Sequence, residues 1–182
     1  MNPPAPRPDA GSPAGGEAPA VRTAGGGPAP GADAPLFPAP LARVIAEFQV
    51  IGRAERMEQL IEYADRFVEV PRSVAARPFA EESRAPHCES EAFVFPVDQP
   101  DGTLRFHFAV DNPQGLSARA WAVILDETCS GLSLEQVARV PQEAIFRIFG
   151  RDLSMGKGMG LTGMLALVTR AARVRLPAHR GG

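Results

Sequence analysis

Between Glu91 and Val110 two short runs rich in Phe and Val flank Gln99-Pro100-Asp101-Gly102, and on both sides of them apolar residues recur at helical spacing. A Pro-Asp-Gly turn between two β-prone runs predicts an antiparallel hairpin. In the second run Leu104, Phe106, Phe108 and Val110 alternate with Arg105, His107 and Ala109. One face is therefore core and the other more polar. Helices before and after such a hairpin predict an α+β fold in which a small antiparallel sheet packs against N-terminal and C-terminal helices.

The helical stripes are specific. Leu41, Val44, Ile45 and Phe48 share one face, with Pro40 suited to a first turn and Gly52 to an end. A second stripe runs through Met57, Leu60, Ile61, Ala64, Phe67 and Val68 and stops before Pro71, so the two helices form a hairpin. From Pro71 to Cys88 the chain reads as a long loop carrying Pro78 and Pro86. Beyond the strands, Leu116, Ala120, Trp121, Ile124 and Leu125 mark a helix running to about Cys129 and ended by Ser130-Gly131. Ser133 with Gln136 reads as a capping box for a short helix, and Ile145 to Phe149 as another that ends at Gly150. A final helix carries Leu161, Met164, Leu165 and Val168, then turns basic at Arg170, Arg173 and Arg175, which suits its C-terminal end.

The domain is shorter than the 182-residue chain, because eleven of its nineteen prolines fall within the first forty residues. Residues 1–36 are an Ala/Pro/Gly-rich stretch with almost no large apolar side chain, too little to offset the entropy of ordering it. The division expected is a disordered tail over 1–36, one domain over 37–176 and a short flexible C-terminus over 177–182.

Composition removes several function classes. The formal charge is -2, so nothing suggests a polybasic nucleic-acid binder. Eighteen of the nineteen cations are arginine and one, Lys157, is lysine, a skew read as coding bias. No apolar stretch approaches the roughly 18 residues of a membrane span, and no signal sequence is recognisable. Two cysteines, forty-one positions apart and without histidine pairs at ligand spacing, suggest neither a zinc site nor a disulfide framework. Free thiols point to a reducing compartment, and a soluble cytoplasmic protein is expected.

The candidate nucleophile is Cys88, in a Pro-containing loop at a strand entrance among His87, Glu89, Ser90 and Glu91. A loop thiol can react where a core thiol is inert. Cys129, at the end of an amphipathic helix, reads as a small hydrophobe. His87 is poorly placed as a base, since adjacent residues of an extended chain point to opposite sides, and His107 reaches the thiol only if its strand face is covered. The segment Met155-Gly156-Lys157-Gly158-Met159-Gly160 lacks the Gly-Lys-Ser/Thr ending of a phosphate loop and reads as a flexible helix entrance presenting one cation.

In order and spacing these pieces resemble the SufE-like family of sulfur acceptors for cysteine desulfurases, over about residues 36–175. The resemblance rests on Leu41-x-x-Val44-Ile45-x-x-Phe48, then Arg56, Leu60 and Tyr63-Ala64, Cys88-x-Ser90 before a strand, and Asp101-Gly102. It continues through Val110-Asp111, Ser130-Gly131-Leu132-Ser133 and Leu153-Ser154-x-x-Lys157-x-x-Gly160-Leu161-x-x-Met164. It implies an α+β fold like that of Fe–S scaffold proteins and a role for Cys88 as the thiol that takes sulfane sulfur from a SufS-like cysteine desulfurase and stimulates it, in support of iron–sulfur cluster assembly. Pyridoxal phosphate would belong to that partner, with no cofactor or metal on this chain, and Fe–S scaffold proteins would be further partners.

The chain departs from the family where His87 replaces a frequent glycine, where Arg119-Ala120 replaces a glycine-leucine pair, and where Lys157 replaces an arginine. His87, Ser90, Arg119 and Lys157 are the residues expected to meet the partner or stabilise a thiolate, Lys157 first as the cation and Arg119 second. Two rival readings remain: a non-catalytic module that regulates a desulfurase through its surface, and a redox sensor that uses both cysteines, which needs their Cα atoms within about 7 Å.

Overall fold

A computed structural model describes residues 36–151 and 153–176. The expected tail up to residue 35 and the C-terminus from 177 lie outside the described residues. Six helices and one two-stranded sheet follow in the order α1 (Ala39–Gln49), α2 (Arg53–Asp65), β1 (Ala92–Asp98), β2 (Leu104–Val110), α3 (Leu116–Cys129), α4 (Leu134–Ala138), α5 (Glu143–Phe149) and α6 (Met155–Arg173). The α+β arrangement is the one expected.

The strands pair antiparallel with Ala92 opposite Val110 and Asp98 opposite Leu104. Gly102, at φ +81°, takes the left-handed position that lets the turn close. Leu104, Phe106, Phe108 and Val110 are all buried and face the helices. The opposite face is less polar than its sequence suggests. Phe93 and Phe95 of β1 gather Val70, Ala109, Ala75 and Phe79 into a second, smaller apolar cluster. The loop after α2 supplies its cover, with the Phe79 ring 5.1 Å from each of those phenylalanine rings.

Helix α3 is the centre of the molecule. Trp121, Ile124 and Leu125 are fully buried, and the helix packs on α1, α2, β2 and α6. Each large apolar side chain so enclosed contributes about 1.5–3 kcal/mol of transfer free energy. Helix α2 ends at Asp65, earlier than its stripe suggests, and leaves Val68 exposed.

The clearest correction concerns residues 155–160. They are not a flexible entrance but the opening of α6, which begins at Met155 and runs for 19 residues. Ser154 caps it, its Oγ accepting from the Lys157 amide at 3.4 Å. Three glycines in six residues oppose helix formation, and two of them, Gly156 and Gly160, are held there by what packs on them.

Candidate functional site

The loop that carries Cys88 is tied down at its base. Ala85 donates from its amide to the Ala92 carbonyl at 2.8 Å, and the Glu91 amide to the Cys88 carbonyl at 3.0 Å. The Asn112 and Asp111 amides donate to the carbonyls of Ser90 and Glu91 at 3.1 and 3.2 Å, which joins the loop to the end of β2. Arg84 forms ion pairs with Glu91 at 2.9 Å and with Glu81 at 3.4 Å. Within this frame His87 (φ +59°) and Glu91 (φ +50°) occupy the left-handed region, which is uncommon for residues with a β-carbon. Two such residues bracketing a cysteine mark a turn that its surroundings have to hold.

Helix α6 supplies those surroundings. Gly156, Gly160 and Gly163 share one face at i, i+4 and i+7, and the loop lies across it in the opposite direction. A β-carbon on Gly163 would stand 2.6 Å from the Pro86 carbonyl oxygen. One on Gly160 would stand 3.0 Å from Cys88 Cα and 3.1 Å from its Sγ, and one on Gly156 would meet Glu89 Oε1 at 2.5 Å. On the far side Ser90 Cβ lies 3.0 Å from where a β-carbon of Gly115 would be, just before α3.

The two thiols differ sharply. Both are free; Cys88 is half-buried and Cys129 is fully enclosed. Burial pushes the Cys129 thiol up to about 12, against a smaller opposing effect of its hydrogen-bond contact with the Thr128 hydroxyl. It is inert at neutral pH. Cys88 lines an open groove of about 680 Å³ with Glu81, Glu82, Arg84, Glu89 and Arg170. Beside the same loop a mainly apolar groove of about 440 Å³ is walled by Pro86, His87, Phe146, Leu153, Met155 and Met159.

The other residues singled out by sequence fall in different places. His87 is exposed and walls the apolar groove, Ser90 is half-buried against Gly115, and Lys157 is exposed in the first turn of α6. Arg119 is half-buried one turn into α3, its guanidinium 5.9 Å from the centroid of the Phe67 ring. His107 lines a separate depression with Arg66, Arg105 and Asp126. Burial holds its imidazole below the ordinary range, and Asp126 opposes that. Among the described residues no cluster of three or more His, Cys, Asp or Glu side chains could hold a metal ion.

Sequence reasoning missed Glu89 and the glycine face as parts of the site. The signal was present in the i, i+4, i+7 spacing of Gly156, Gly160 and Gly163, which acquires meaning only once the loop that fills it is known.

An α+β domain presenting one reachable loop thiol on a helix is the class of protein defined here. The family described as SufE, Fe-S metabolism associated domain, matches residues 42–172, and the chain belongs to that family. Among solved structures it is similar to the solution structure of a hypothetical protein from Thermus thermophilus. The two share 26% identity and a TM-score of 0.59 over 77% of this chain and 98% of that one. No curated protein matches. No helix of the described residues is long and apolar enough to cross a membrane.

Proposed function

We propose that this chain is a cytoplasmic sulfur acceptor and carrier that takes sulfane sulfur onto Cys88 from a SufS-like, pyridoxal-phosphate-dependent cysteine desulfurase, stimulates that enzyme, and passes the sulfur on toward iron–sulfur cluster assembly. The observation that carries the reading is the contrast within one SufE-family domain between a half-exposed Cys88 at the edge of an open groove and a sealed Cys129. Pyridoxal phosphate stays with the partner. The chain is a transfer accessory to that enzyme and makes no product by itself.

The chemistry is exchange at sulfur. The Cys88 thiolate attacks the outer sulfur of the donor persulfide, an S–S bond forms on Cys88 as the donor's S–S bond breaks, and the donor cysteine leaves as a thiolate. Sulfur oxidation states are exchanged between the partners, and no outside oxidant is required. The rate depends on thiolate fraction and access. Lys157 is the cation proposed to favour the thiolate and persulfide anions, with Arg119 second; His87 and Ser90 are proposed to meet the donor.

The test is desulfurase turnover with and without this chain. Cys88→Ser should abolish the stimulation while still binding the enzyme. Full stimulation by that variant would favour a surface regulator and remove the acceptor role.

A further inference from the structure

We propose that Gly160 is a positioning residue for the Cys88 thiol, and that the glycine face of α6 is a seat which fixes the direction from which a sulfur donor can reach it. The proposal rests on the reading of Cys88 as the acceptor.

A β-carbon on Gly160 would meet both Cys88 Cα at 3.0 Å and Cys88 Sγ at 3.1 Å. Rotating the cysteine side chain relieves the second contact and not the first, so a side chain at 160 has to move the Cys88 backbone. The neighbouring contacts resist that movement. Pro86 is held at Gly163 by its backbone, so the loop backbone is seated at two successive points along α6, while at Gly156 only the tip of the Glu89 side chain approaches. The Glu89 carboxylate lies over the first turn of the helix, where the free amide dipoles favour a negative group. The left-handed conformations of His87 and Glu91 would relax if those contacts were lost.

The seat has a chemical consequence. Attack on a disulfide-like donor needs the three sulfurs nearly in line, and the helix backbone at Gly160 closes one side of Sγ. The remaining approach is through the groove that Cys88 lines with Glu81, Glu82, Arg84, Glu89 and Arg170. A thiol held in one orientation toward one opening is preorganised for transfer.

Gly158 provides an internal control. It lies in the same helix, yet a β-carbon there would meet only Leu153 Cδ2 at 3.8 Å, an ordinary contact. Gly158→Ala and Gly160→Ala bring the same gain in helix propensity, and only the second displaces the cysteine.

The test uses the full chain and iodoacetamide, a small neutral probe that needs no desulfurase. Carbamidomethylation of Cys88 should run several-fold faster in Gly160→Ala than in the unsubstituted chain across the pH profile, and at the unsubstituted rate in Gly158→Ala. A rate unchanged or lowered in Gly160→Ala, or raised equally in both variants, would overturn the proposal. Should Gly160→Ala fail to fold, the unsubstituted chain labelled with ¹⁵N-glycine decides the matter. Alkylating Cys88 should shift the Gly160 amide resonance and leave Gly102 and Gly131 in place; a Gly160 resonance that moves no more than theirs contradicts the seat. Sulfur transfer can fail while both readouts succeed, so this proposal and the acceptor reading fail separately.

Discussion

The indole Nε1 of Trp121 donates a 3.1 Å hydrogen bond to the carbonyl of Leu161, the residue that follows Gly160. The side chain is fully buried, and its ring meets Phe149 edge-on with centroids 5.9 Å apart. The central helix α3 thereby holds α6 at the level where the cysteine loop is seated. Trp121→Phe removes the donor and leaves unfilled volume, and should cost about 2 kcal/mol. Urea denaturation measures it; a loss below about 0.5 kcal/mol would mean the bond does not tie the two helices together.

His87 stands at φ +59°, where glycine is at ease and a β-branched residue is not. His87→Gly should leave stability within about 0.5 kcal/mol, since relief of strain offsets the greater freedom of the unfolded glycine. His87→Val should cost about 1–2 kcal/mol. Equal melting temperatures for the two variants would show that the left-handed turn is not maintained in solution.

The alkaline limb of stability should report Cys129. Its thiol is raised from an ordinary 9.0 to about 12 in the folded chain. The unfolded chain therefore loses a proton that the folded chain keeps once the pH exceeds about 9. Stability from this group is full below that pH and falls by up to about 1.4 kcal/mol per pH unit through the window between about 9 and 12. Cys129→Ala should flatten that slope relative to the unsubstituted chain. Identical alkaline slopes would show that the thiol is not sealed.

Much of this fold was legible because burial followed simple periods. The alternation from Leu104 to Val110 located β2 and its core face, and the stripe through Trp121, Ile124 and Leu125 located α3. The second apolar cluster was not legible, since Val70 and Phe79 meet Phe93 and Phe95 only through the course of a loop without periodicity. The start of α6 was hidden by glycine. Low propensity at Gly156, Gly158 and Gly160 reads as a break, while the folded chain gains close approach of the cysteine loop at the first and last of them. Of the site, Cys88 was visible from its polar loop neighbours. Its orientation depends on contacts with a helix far along the chain, which no local pattern announces.

Lys157 and Arg119 separate by stability and function. Lys157 is exposed in the first turn of α6, where a cation opposes the helix dipole, so Lys157→Gln should be neutral or stabilise by about 0.3 kcal/mol. If it serves the thiolate, the same change slows sulfur acceptance. Arg119 packs over Phe67 but its buried Nε has no partner, so in Arg119→Met the lost cation–π contact is offset by removal of an unpaired donor and stability should change by less than about 1 kcal/mol. Thermal melts beside single-turnover sulfur transfer check both. Unaltered transfer in Lys157→Gln would remove that residue from the chemistry.

The most direct measurement is intact and peptide mass spectrometry of the chain after incubation with a SufS-type desulfurase and cysteine. The account predicts an added sulfur atom confined to the peptide that contains Cys88, lost on treatment with a reducing agent. Sulfur found on Cys129, or none on Cys88 while the desulfurase is fully stimulated, would contradict it.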